Sequence, residues 1–143
     1  MQSAIKVTKQ GRKVLEYISG TNLKRHHARH INEALQQYGA MIVSELKRVI
    51  STGTRSGRVY YYRGEAHTAS APGEPPANIS GKLMNSFEYK RTPSRLAIFS
   101  ELNYAPYLEL GTEIMKIRPY FVVTNIQHSP ELHTKLQKIS EEL

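Results

Sequence analysis

Residues 31–50 read INEALQQYGAMIVSELKRVI, and how this stretch folds decides the architecture of the chain. Ile31, Leu35, Tyr38, Ile42, Leu46 and Val49 follow one another at intervals of four, three, four, four and three. Such intervals put one apolar stripe on an α-helix, because a 3.6-residue turn returns those positions to the same face. Arg25, Arg29, Gln36, Lys47 and Arg48 fall on the opposite side. The pattern predicts a helix over residues 22–50, stopped at Ser51, Thr52 and Gly53, where glycine readily takes the conformation that ends a helix.

Upstream, residues 3–8 alternate Ile5 and Val7 with Lys6 and Thr8, a short strand pattern. Residues 13–19 suit either a strand or a short helix. Downstream, residues 53–80 break every periodic pattern with four glycines and three prolines. Within them only the run from Arg58 to Arg63, through Val59, Tyr60, Tyr61 and Tyr62, has the composition of a strand or one arm of a hairpin. A connection this long inside a domain is expected to be functional or mobile, or ordered by a partner.

Further on, Ser80 is placed to cap a short helix through Leu83, Met84 and Phe87. A β-hairpin follows over residues 88–102, turning at Thr92, Pro93 and Ser94. Residues 104–110 read as a helical turn ended by Gly111. Residues 120–124 have strand-forming composition, yet Pro119 suits a helix start, and helix is the expectation. Ser129, Pro130 and Glu131 form an N-cap, a first-turn proline and a dipole-matching carboxylate. They would open a last helix with the stripe Leu132, Leu136, Ile139 and Leu143. The sum is a single α+β domain over residues 1–143: a long helix in the N-terminal half and a C-terminal helix, packed on a small, mostly antiparallel sheet, with a long Pro/Gly-rich loop.

Composition narrows the chemistry. The 143 residues include no cysteine, so no disulfide framework, thiolate nucleophile or cysteine-bound zinc is expected. All twelve acidic residues are glutamate, which disfavours the Asp-rich sites that hold magnesium or calcium. No apolar run approaches the ~20 residues of a membrane span or the ~7–15 of a secretory signal, so a protein made and kept inside a cell, without membrane contact, is the expectation. The net charge of +8 is uneven: residues 1–63 carry twelve Lys/Arg against three Glu, and residues 64–143 eight against nine. A basic face follows, rather than a uniformly basic particle.

Candidate constellations are few. His26 and His30 are four apart, as zinc-binding histidines are, but His27 stands where a metalloprotease needs glutamate, and Arg25 and Arg29 would repel a cation. No Gly-x-Ser-x-Gly elbow, Walker loop or dinucleotide fingerprint occurs. Neither an enzyme nor a cofactor is expected. Arg55, Arg58 and Arg63 around Tyr60, Tyr61 and Tyr62 form the one segment suited to nucleic acid, since guanidinium groups neutralise phosphate and rings stack on bases. With Lys24, Arg25 and Arg29 they are the candidate DNA-facing residues. In an extended segment Tyr61 points away from Tyr60 and Tyr62, so packing on the body or on a neighbouring subunit outweighs a stacking platform.

Two segments are distinctive: residues 70–87, SAPGEPPANISGKLMNSF, and residues 104–112, YAPYLELGT, followed by Met115, Arg118, Pro119, Tyr120 and Phe121. In this order they resemble the neck or tail-completion family of long-tailed bacteriophages, whose members are also described as minor tail components or head–tail joining proteins. The shared pattern is a Ser-x-Pro-Gly-x-Pro-Pro loop, a Gly-x-Leu-x-x-Ser turn, a Tyr-Ala-x-Tyr-x-Glu-x-Gly-Thr segment and an Arg-Pro-aromatic ending. The resemblance spans residues 57–121; the basic helix with its histidines is not part of it.

The resemblance implies a structural virion protein at the head–tail junction, assembled in the host cytoplasm. Its partners would be copies of itself in a sixfold ring, the tail-tube protein, a head-completion or tail-terminator protein, and the genomic DNA passing through the channel. The implied assembly interface draws on Tyr60, Tyr61 and Tyr62 and on Pro72, Gly73, Glu74, Pro75 and Pro76, whose prolines stiffen the loop before docking. It also draws on Gly81, Leu83, Ser86, Tyr104, Tyr107, Glu109, Gly111, Thr112, Arg118, Pro119 and Phe121. Gly73 and Gly81 would permit turns, Leu83 and Phe87 would anchor the short helix, and Tyr104 and Tyr107 would pack over the hairpin. Glu109 is a candidate partner for Arg118, against the commoner outcome of a solvated carboxylate. A basic DNA-binding module without catalysis is the alternative.

Overall fold

The computed structural model describes residues 2–4, 24–93 and 95–142, with no side chains for residues 2–4 and 24–27. Its elements are β1 (Gln2–Ala4), α1 (Lys24–Thr52), β2 (Val59–Tyr62), β3 (Glu65–Thr68), α2 (Lys82–Asn85), β4 (Phe87–Thr92), β5 (Arg95–Ser100), α3 (Ala105–Leu110) and α4 (Phe121–Glu141). The fold is α+β. A three-stranded antiparallel sheet has the order β1-β5-β4, and β2 pairs with β3 as a separate two-stranded hairpin. Of the strand expected over residues 3–8, residues 3 and 4 fall in β1; residues 5–8, and the undecided residues 13–19, lie outside the described residues. No helix among the described residues is long and apolar enough to cross a membrane.

Helix α1 forms where its stripe predicts. Ile31, Leu35, Tyr38, Ile42 and Leu46 are all buried, and Ile50 rather than Val49 takes the last core position. The side-chain hydroxyls of Ser51 and Thr52 both donate to the Arg48 carbonyl and close the helix end. On the sheet, Phe87, Tyr89, Leu96 and Ile98 share the face turned to α1, as the register Phe87↔Ser100 and Tyr89↔Ile98 requires. Each fully buried Leu or Ile here contributes about 1.5–3 kcal/mol.

Gly39 sets how close α1 comes to the sheet. A Cβ there would stand 2.6 Å from the Tyr89 ring and 3.0 Å from Leu96. Gln36 then donates to the Tyr89 hydroxyl at 3.0 Å and holds the edge of that contact.

Helix α4 packs on α1. Leu132 and Leu136 are buried, Ile139 packs against the same core, and Leu143 lies outside the described residues. Tyr38 donates to Asn125 Oδ1 at 3.2 Å across the helix pair, and burial pushes its hydroxyl pKa up to about 12. His128 sits 3.8 Å from Glu45 and 3.4 Å from Glu131. The bidentate Arg48 beside it holds the Glu45 carboxyl below its usual range.

One expectation fails here, for an identifiable reason. Ser129-Pro130-Glu131 does not open a helix, because residues 121–128 are already helical and Pro130 lies inside α4. Proline leaves the carbonyl four residues earlier without its backbone donor; Ser129 Oγ donates to that Ile126 carbonyl at 3.3 Å. Within residues 53–80 the run expected as a strand or one arm of a hairpin is β2, and β3 supplies the other arm. Arg63 and Gly64 both adopt positive φ, 52° and 82°, the twist that suits a two-residue hairpin turn. Bonds from Gly57 N to Ala69 O and from Ala69 N to Arg58 O extend the ladder below the strands.

Candidate functional site

The motif blocks at residues 70–87, 104–112 and 118–121 meet in space, joined by side chains bonded to backbone. The Glu74 carboxylate accepts from the Ser56 hydroxyl, from Ser56 N at 3.1 Å and from Ala71 N at 2.7 Å. These donors, the Ser56 hydroxyl first, hold its pKa below the usual carboxylate range. Gly73 N donates to Ile117 O at 3.0 Å, and Arg118 Nη1 donates to Ser70 O at 2.9 Å. The stiff Pro72–Pro76 segment is thereby clamped at both ends.

Glu109 does not pair with Arg118. Its Oε2 accepts from Tyr120 N at 2.9 Å and Phe121 N at 3.0 Å, and its Oε1 from Val122 N at 3.0 Å. A helix start has backbone N–H groups without intrahelical acceptors, and a carboxylate is their best partner. Glu109 therefore caps α4 from another element, which explains why α4 begins directly after Pro119 and Tyr120. The Tyr120 hydroxyl donates to Ala105 O at 3.0 Å while its ring meets Phe87 at 5.7 Å. Burial, and then the Glu109 charge, raise the pKa of that hydroxyl above its ordinary value.

Around α2, Gly81 rather than Ser80 holds the N-cap position, with φ 74°. Asn78 Oδ1 accepts from Gly81 N at 2.9 Å, so the side chain that shapes this turn is Asn78. Leu83 and Phe87 are buried as anchors, and Ser86 bonds Ser100 at 2.7 Å. Gly111 ends α3, its N–H on Tyr107 O. Tyr104, the cap residue of α3, and Tyr107 remain 42% and 58% exposed.

The blocks enclose a pocket of about 260 Å³. The hairpin contributes Tyr60, the proline-rich segment Ser70 and Pro76–Ser80, α2 Lys82 and Leu83, and α3 with its cap Tyr104 and Leu108, while Arg118 closes it. Its lining has guanidinium, ammonium and phenol donors but no carboxylate or imidazole. That donor set suits an anionic group. Lys82 was not singled out by the sequence, where it reads as one more surface lysine. A second hollow of about 190 Å³, mostly apolar, lies between Phe99, Pro106, Leu110 and Val122.

Of the tyrosine run, Tyr60 and Tyr62 both stack near His67, at 5.9 and 6.1 Å, and Tyr61 is 78% exposed. These contacts lie within the hairpin itself, because His67 belongs to β3, and Tyr62 is still 46% exposed. Arg63 lies 5.4 Å over the Tyr62 ring, while Arg55 and Arg58 are exposed. Arg29 pairs with Glu33 at 3.2 Å. The side chains of Lys24, Arg25, His26 and His27 lie outside the described ones, and among the described residues no three His or Glu side chains group as metal ligands. Thr112 and Met115 close a tight loop, Thr112 N to Met115 O at 2.8 Å, whose tip residue Ile114 is 99% exposed. Comparison with protein-family models, with curated proteins and with solved structures finds no match for this chain.

Proposed function

We propose that the chain is a structural, non-catalytic virion protein of a tailed phage, which completes the top of the tail tube and joins tail to head as one member of a ring around the DNA channel. One observation carries this reading. The three blocks that resemble the neck family are tied into one platform by Glu109, by Arg118 and by the bond from Gly73 N to Ile117 O, and large apolar side chains on that platform stand in solvent. Tyr107, Leu110, Ile114 and Ile117 are each more than half exposed, an arrangement suited to contact with other subunits. The partners in this reading are further copies, the tail-tube protein and a head-completion or terminator protein. Deleting the coding sequence from a phage that carries it and imaging the particles tests the role. Full heads beside separate tails support it; normal infectious virions overturn it.

The exposed Tyr61, close to Arg58 and Arg63 along the hairpin, favours the second reading, a DNA-binding module. Binding to duplex DNA that weakens steeply with salt, without association with tail or head proteins, would select it.

A further inference from the structure

The loop between α3 and α4 presents Glu113 and Ile114 side by side, and nothing among the described residues covers Ile114. A fully exposed isoleucine on a tightly closed loop is an uncompensated apolar surface. The pocket beside α2 has complementary chemistry. Lys82 and Arg118 supply positive charge, Leu83 and Leu108 supply apolar wall, and no lining residue is acidic. Glu74, which the Arg118 charge reaches, has its hydrogen bonds on Ser56 and Ala71.

We propose that the pocket receives the Glu113–Ile114 loop tip of a second copy of this chain, the carboxylate meeting Lys82 and Arg118 and the isoleucine meeting Leu83 and Leu108. Size favours this occupant. About 260 Å³ lies below the ~300–1,000 Å³ of small-molecule pockets and suits one or two side chains. The loop leaves the C-terminal end of α3, whereas Tyr104 brings the N-terminal cap of that helix to the pocket. Donor loop and acceptor pocket adjoin, both rooted at Leu108 and Arg118, yet they are unlike patches, and a contact between them either closes reciprocally as a two-fold dimer or propagates head to tail into a ring where the rotation allows. The contact rests on the assembly reading for the closed ring; its test does not.

Lys82 and Glu113 are both exposed, so their variants should keep the wild-type melting temperature. Self-association is followed by light scattering over rising protein concentration. Lys82→Glu or Glu113→Lys alone is expected to weaken it by about tenfold or more, and the doubly swapped chain to regain most of it, because opposite charges across a contact restore one another. The absence of natural cysteine makes disulfide trapping a second readout: mixed Lys82→Cys and Glu113→Cys chains should form the mixed dimer and exceed either homodimer. Oligomers that ignore both charge changes and give no mixed disulfide would overturn this contact and leave the ring reading standing. A chain that stays monomeric and untrapped at every concentration would also overturn it; the phage deletion then judges the ring reading separately.

Discussion

Hairpins β4–β5 and β2–β3 are both antiparallel pairs joined by short turns, but their surroundings differ. The first lies against α1 and buries Phe87, Leu96 and Ile98; the second leaves Val59, Tyr61 and Tyr62 in solvent. A lone two-stranded hairpin is marginal in water. The second one has two-residue turn geometry, ladder bonds at Gly57 and Ala69, and the clamp formed by Glu74 and Arg118 at its base. The comparison separates two ways of ordering a hairpin, by burying it or by anchoring its feet. Only the anchored one keeps its side chains available to a partner.

The sharpest way to break the comparison is to make equivalent cuts. Ile98→Ala should destabilise the chain by about 2–5 kcal/mol, through lost burial and a cavity, whereas Val59→Ala should stay within about 0.5 kcal/mol. Denaturant midpoints measure both. Gly39→Ala should cost about 1–3 kcal/mol despite a better helix former, because its Cβ must displace the Tyr89 ring. An enlarged residue away from the sheet would show no such loss.

Glu109→Ala should cost about 1–2 kcal/mol by uncapping α4, with faster amide exchange at residues 120–122 as its local signature. Acid probes the feet of the second hairpin. The folded Glu74 carboxyl titrates below an unfolded glutamate, so its anchoring is complete above about pH 4.3 and is lost as pH falls through the lower folded value. Amide shifts of Ser56 and Ala71 should follow that loss while those of β4 and β5 lag. Smallest of all, Tyr61→Ala should leave thermal stability within about 0.5 kcal/mol; a larger drop would mean that the hairpin is held by its tyrosines.

The periodic parts of the chain were legible from residue order: the α1 stripe, the β4–β5 alternation and the stop at Gly111 each express a local rule. β3 was not, because Glu65-Ala66-His67-Thr68 has no apolar alternation and the Arg63–Gly64 turn lacks the usual Asn or Asp. The start of α4 after Pro119 was legible, but its cap was not, because Glu109 belongs to another element. The motif blocks were readable, but their meeting point depends on Arg118 crossing 48 positions to Ser70. Such non-local bonds leave no spacing to recognise.

Glu109 and the bond from Arg118 N to Leu108 O, at 2.8 Å, fix the two points where the 111–117 loop leaves and rejoins the platform. What lies between can therefore be exchanged as a cassette. A labelled or lengthened sequence inserted at Ile114 is expected to leave the melting temperature unchanged, because both ends are fastened by atoms outside the insert. That makes the loop an address that can be rewritten without rebuilding the protein that carries it.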